Sequence, residues 1–75
     1  MQRVGTVVRV AQGLAIVRLP DDSTPDLGTE VIDESLSTVG RVVDVFGPVD
    51  RPYVAVSPAS GTRAADLLGT KLYAR

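Results

Sequence analysis

The sequence predicts an all-β domain, a small barrel of six short strands. Three observations carry that expectation. Valine is the commonest residue, and β-branched side chains favour strands. Gly, Pro, Asp and Ser recur at short intervals and mark turns. Apolar and polar residues alternate at the start of the chain, as in a strand buried on one face.

Arg3 to Ala11 carries this alternation. Val4, Thr6, Val8 and Val10 share one face; Arg3, Gly5, Val7 and Arg9 share the other. Gln12-Gly13 reads as a tight turn and Leu14 to Leu19 as the returning strand, so residues 3–19 form a hairpin. Pro20 to Asp26 is a polar loop whose two prolines cannot donate to a ladder, and Leu27-Gly28 ends it. Glu30 to Asp33 is a short third strand. Glu34 to Ser37 is the next turn, with Leu36 tucked inward.

Thr38 to Phe46 is the longest remaining strand. Val42 and Phe46 share a parity with Asp44, whereas Val39, Val43 and Val45 lie on the other side. Both faces are apolar, so both are expected to be covered, one by the core and the other by a partner. Residues 47–52 form a stiff connector, and Tyr53 to Ser57 is a strand with Val54 and Val56 inward. Pro58 to Ala65 is a loop with room for one helical turn. Leu67 to Thr70 leads into a last strand, Lys71 to Ala74. Closing these strands into a barrel removes the edges that invite aggregation.

At 75 residues the chain reads as one domain, residues 1–75. It contains neither cysteine nor histidine, which excludes a disulfide framework, the usual Cys/His zinc site and a histidine general base. No run approaches the roughly 20 apolar residues of a bilayer span. The first residues enter an alternating pattern rather than a signal peptide, so a cytoplasmic protein with no membrane partner is expected. Eight basic residues face nine acidic ones, and the pI is about 5.1. A self-sufficient nucleic-acid binder would be basic. The three aromatics, Phe46, Tyr53 and Tyr73, are few for a base-stacking platform.

Enzyme signatures are missing. There is no GxxxxGK[ST] loop, no GxGxxG after a strand, and no nucleophile–base pair. No catalytic, cofactor-binding or metal-binding residue is assigned, and no cofactor is expected. The adjacent acids Asp21-Asp22 and Asp33-Glu34 read as solvated turn residues. Asp44 stands out, because a carboxylate inside a Val-rich strand is costly to bury without partners. It either sits at the barrel rim and accepts hydrogen bonds, or pairs with a cation on a partner.

The segment Val45-Phe46-Gly47-Pro48-Val49-Asp50-Arg51-Pro52-Tyr53-Val54 concentrates apolar and aromatic groups on a backbone stiffened by two prolines. A stiff loop loses little entropy on binding. Asp44, Val45, Phe46, Gly47, Pro48, Val49, Pro52, Tyr53 and Val54 are therefore the candidate partner-binding residues. The plainer reading is a rigid strand connector with Tyr53 as barrel filler. The alternative binding face carries Arg3, Val7 and Arg9.

The stretch Val39-Gly40-Arg41-Val42-Val43-Asp44-Val45-Phe46-Gly47-Pro48-Val49, followed by Pro52-Tyr53-Val54, resembles the archaeal Gar-type subunit of H/ACA ribonucleoproteins. Gly5-Thr6-Val7, Gln12-Gly13, Leu27-Gly28 with Val31-Ile32-Asp33, and Leu68 to Tyr73 fall in the family's order. The resemblance covers the whole chain. It implies a six-stranded barrel similar to the second domain of translation elongation factors. It also implies a non-catalytic subunit docked on a pseudouridine synthase, acting on ribosomal RNA modification through substrate loading and product turnover. Guide and substrate RNA are then indirect partners. The Gly/Arg-rich tails of eukaryotic members have no counterpart in these residues. The rival reading is a translation-factor-like or ribosome-assembly barrel, which would not need the Gly-Pro-Val…Pro-Tyr segment.

Overall fold

The computed structural model describes residues 2–20 and 23–75, so the pair Asp21-Asp22 lies outside the described residues. Gln2–Ala11 forms β1 and Leu14–Arg18 forms β2. Between them Gln12 and Gly13 both have positive φ, 54° and 78°. That is the type I′ hairpin geometry, whose twist matches the flanking strands. Strands β3 (Glu30–Ile32), β4 (Thr38–Phe46), β5 (Tyr53–Pro58) and β6 (Lys71–Ala74) follow. A 3-10 turn, Ala64–Leu67, is the only helical piece among the described residues. Every ladder is antiparallel, and the order β1-β2-β5-β4-β3-β6 closes on itself into the predicted barrel. No described helix is long and apolar enough to cross a membrane.

The registers stack residues of β1, β2, β5 and β4 into rows that alternate across the barrel wall. Val7, Val17, Val54 and Val45 form an inward row, and Ala15, Val56 and Val42 form the next. Of these seven side chains only Val45 is partly exposed; the others are at most 1% exposed. Each fully buried valine is worth roughly 1.5 kcal/mol or more of apolar transfer. Between the inward rows lies one that alternates to the other face, Arg9, Ile16, Ala55 and Asp44, of which Arg9 and Asp44 are exposed while Ile16 and Ala55 are buried, at 4% and 3% exposure.

Two bulges keep these rows aligned, and they overturn the strict alternation expected of β1. One lies between Val7 and Arg9, the other between Val42 and Asp44. Each inserts one residue and so flips every later side chain to the opposite face. A further register shift, between Arg3 and Gly5 where β1 pairs with β6, lets Val4 and Val7 both enter the core. Val8, the extra residue of the bulge after Val7, is 42% exposed, and Val10, which pairs with Ala15 near the hairpin end, is 39% exposed. In β4 the bulge lets Val42 and Val45 face inward despite their opposite parity. The two apolar faces expected of β4 are thus partly one face. What stays outside is Val43, the extra residue, and Phe46.

Gly40 allows β4 and β5 to close. A Cβ there would overlap the Ser57 carbonyl oxygen and press on Val56, so no larger residue fits at this crossing. At another point on the wall, Ala64 and Leu67 of the 3-10 turn add to the core. The segment after them is tied to β1 by Val7 N–H to the Thr70 carbonyl (3.0 Å) and Gly69 N–H to the Val7 carbonyl (2.9 Å).

Leu36 does not tuck inward as expected; it is 59% exposed with φ of 69°. The turn holds itself together instead. The Asp33 carboxylate accepts from Ser35 N–H (2.9 Å), Ser35 Oγ–H (2.6 Å) and Ser37 N–H (3.1 Å). A turn braced by its own side chain has no need of an apolar anchor.

Candidate partner-binding surface

Antiparallel pairing brings the start of β1, the end of β2, the start of β5 and the end of β4 to one end of the barrel. The connector 47–52 spans that end. Here the registers form an outward row: Thr6 opposite Arg18, Arg18 opposite Tyr53, and Tyr53 opposite Phe46. The Phe46 and Tyr53 rings stack, with centroids 5.7 Å apart and planes 24° from parallel. Such pairs contribute about 0.5–1.5 kcal/mol beyond their buried area.

The structure divides the predicted binding residues into two groups. One group is explained by the barrel. Val54 is fully buried and offers no surface, and Val45 packs against the core. Pro52 is buried, and its carbonyl accepts from Leu19 N–H at 3.2 Å, fastening the connector to the chain after β2. Gly47 has φ of 95°, where a side chain would be strained. These four residues support the connector and do not need a partner to explain them.

The other group has no such explanation. Val49 is 91% exposed, Pro48 is exposed, and Phe46 is 36% exposed despite its stack. Tyr53 is half-buried between them and Arg18. Asp44 is exposed on the outer face of the wall opposite Ala55, not at the rim, and its Oδ1 accepts from the Val45 N–H at 2.8 Å, so the cost of burying it never arises. Its carboxylate keeps lone pairs for a partner's cation.

Two residues outside the predicted set extend this surface. Val43 stands out from the bulge at 43% exposure. Leu27 is 67% exposed, and the residues after it hydrogen-bond along β4: Gly28 N–H to the Val42 carbonyl (2.8 Å), and Val42 N–H to the Thr29 carbonyl (2.9 Å). Sequence parity placed Val43 on one face with Val39 and Val45, and only the bulge separates it from them as exposed. Leu27, an isolated apolar residue in a polar loop, was the one available signal. The alternative face with Arg3, Val7 and Arg9 does not form, because Val7 is 1% exposed in the core.

The surface offers apolar contact and charge. Among the described residues no three His, Cys, Asp or Glu side chains gather as metal ligands. The Asp33 carboxyl belongs to its turn. The Ser35 hydroxyl, then the Ser37 N–H, hold its pKa below the ordinary aspartate value.

Known proteins bear on this arrangement. An uncharacterised protein of Methanothermobacter thermautotrophicus is 33% identical over 60 residues, covering 79% of this chain and 63% of that protein. The H/ACA ribonucleoprotein complex subunit GAR1 of Chaetomium globosum is 24% identical over 71 residues, covering 93% of this chain and 34% of that protein. The chain thus spans less than two thirds of either relative. The family described as the Gar1/Naf1 RNA binding region matches residues 1–75 from end to end, and the chain belongs to that family.

Proposed function

We propose that the chain is a non-catalytic subunit of an H/ACA ribonucleoprotein that docks on the pseudouridine synthase subunit through Phe46, Pro48 and Val49. Val43, Leu27 and Asp44 flank the contact. In this reading the chain works in the cytoplasm and supports substrate loading and product turnover during ribosomal RNA pseudouridylation. The observation that carries the proposal is Val49: a valine 91% exposed on a connector braced by Pro48 and by the buried Pro52. A stiff, exposed apolar tip gains from being covered and has little ordering entropy to lose. Family membership over residues 1–75 and the name of the fungal relative support the choice of particle.

The test is co-purification of the tagged chain from its native lysate. The wild-type chain is expected to bring down a pseudouridine synthase. Pro48→Ser with Val49→Asp is expected to abolish that capture while the far-UV spectrum stays native, because an unpaired charge in an interface core costs several kcal/mol. Equal capture by the double variant would place the interface elsewhere.

A further inference from the structure

Beside the apolar connector, the same barrel end carries three arginines around one open groove. Arg3 lies near the start of β1, Arg18 ends β2, and Arg51 lies two residues before β5. With Gly5, Thr6, Val8, Leu19 and Pro20 they line a groove of about 290 Å³. The three are far apart in sequence, and only the closed barrel gathers them.

These guanidinium groups have no internal role among the described residues. Among those residues the one ion pair joins Arg75 to Glu30 at 3.7 Å, and none that lines the groove is a carboxylate. All three arginines are exposed. Gathering like charges is unfavourable until an anion arrives. On a chain of net charge −1 the groove is therefore a local cationic site, not part of a basic surface.

The lining selects among anions. Among the described residues of the wall Leu19 is 1% exposed and Val8 is the only exposed large hydrophobic one, so an acidic protein segment would find no deep apolar anchor there. Arginine forks fit phosphate oxygens two at a time, and a nucleic-acid strand presents successive phosphates to successive arginines. No aromatic, Asn or Gln lines the groove, so contact falls on the backbone and not on base edges. We propose that the Arg3–Arg18–Arg51 groove binds the phosphodiester backbone of an RNA strand. The proposal rests on the reading above only for the choice of RNA among phosphodiesters.

The test is a salt titration of labelled oligouridine binding to the full chain, with polyglutamate as competitor. Three neutralised phosphates give a slope of log K against log salt of about −2, so affinity falls roughly 15–20-fold from about 50 to about 200 mM salt. Arg3→Gln, Arg18→Gln and Arg51→Gln together are expected to bring the slope close to zero with the melting temperature preserved. Each alone removes about 0.7 of it. The corresponding triple lysine variant keeps most of the slope, since charge is retained. Asp21→Asn with Asp22→Asn, which neutralises the carboxylates following Pro20 in sequence, leaves the slope no shallower. Oligodeoxythymidine is expected to match oligouridine, as a backbone contact requires.

An unchanged slope in the triple glutamine variant overturns the site. Polyglutamate displacing oligouridine at equal charge assigns the groove to an acidic protein segment and overturns the RNA proposal. The triple glutamine variant is still expected to capture the synthase. If instead the wild-type chain captures none while oligouridine binding follows the arginines, the docking reading fails and the groove stands.

Discussion

The ring of Tyr53 lies against the backbone of Gly47: a Cβ added at residue 47 would stand 2.9 Å from Tyr53 Cδ2. The same ring stacks on Phe46, so the end of β4, the turn out of it and the start of β5 are held by one side chain. Gly47→Ala therefore meets two penalties, a strained φ of 95° and a displaced ring. A loss of about 1–3 kcal/mol is expected in urea unfolding. An unchanged midpoint would mean that the connector is not fixed by this contact.

Two valines of the same segment are expected to behave in opposite ways. Val54 is fully buried and Val49 is 91% exposed. Val54→Ala removes two methyl groups from the core and leaves a cavity, a loss of about 2–3 kcal/mol in stability. Val49→Ala is expected to stay within about 0.5 kcal/mol of wild type in stability. It should nonetheless weaken the synthase complex by roughly tenfold or more, as an interface anchor does. Calorimetry of the free chain and titration of the complex separate the two effects. Equal binding by Val49→Ala would remove it from the interface.

The Asp33 turn has a signed pH dependence. Its carboxyl is held below the ordinary aspartate value chiefly by the Ser35 hydroxyl, so the folded state favours the charged form. A lowered folded pKa contributes stability that is present above the unfolded pKa, near 4, and is lost as pH falls through the folded one. The melting-temperature gap between wild type and Asp33→Ala should be largest at neutral pH and shrink as the pH falls below about 4. Taking the difference cancels other exposed carboxylates such as Glu30. A gap that widens in acid would reverse the assigned direction.

A docked barrel that contributes no catalytic group acts on a synthase only through the populations of its conformations. Lid motion or product release limits many enzymes. With synthase and guide RNA in excess, a single turnover is expected to run almost as fast without the chain, while multiple turnover speeds up clearly when it is added. An equal acceleration of both would assign the chain to substrate loading or active-site organisation instead.

The hairpin of residues 3–19, the strand Thr38–Phe46 and the last strand Lys71–Ala74 were legible because their information is local. Strand-forming composition and a Gln-Gly turn depend on neighbouring residues, and both were read correctly without the fold, although the faces that alternation assigned within the first strand were not. Stiffness of the connector was legible for the same reason, since proline acts on its own backbone. The resemblance carried by residues 39–54 pointed to the family that the whole chain matches.

Which of those residues face outward was decided by the tertiary structure alone. The bulges after Val7 and Val42 exist only relative to a partner strand, and each inverts the faces that parity assigns. They expose Val8 and Val43 and let Val42 and Val45 point inward together, while the register shift between Arg3 and Gly5 lets Val4 and Val7 share the core. Val54 and Pro52 left the candidate surface for the same cause, because burial depends on what lies across the barrel. Arg3, Arg18 and Arg51 are scattered cations along the chain and one groove in the closed barrel. Their convergence is set by strand register, and register is a property of pairing between distant segments, which no local pattern contains.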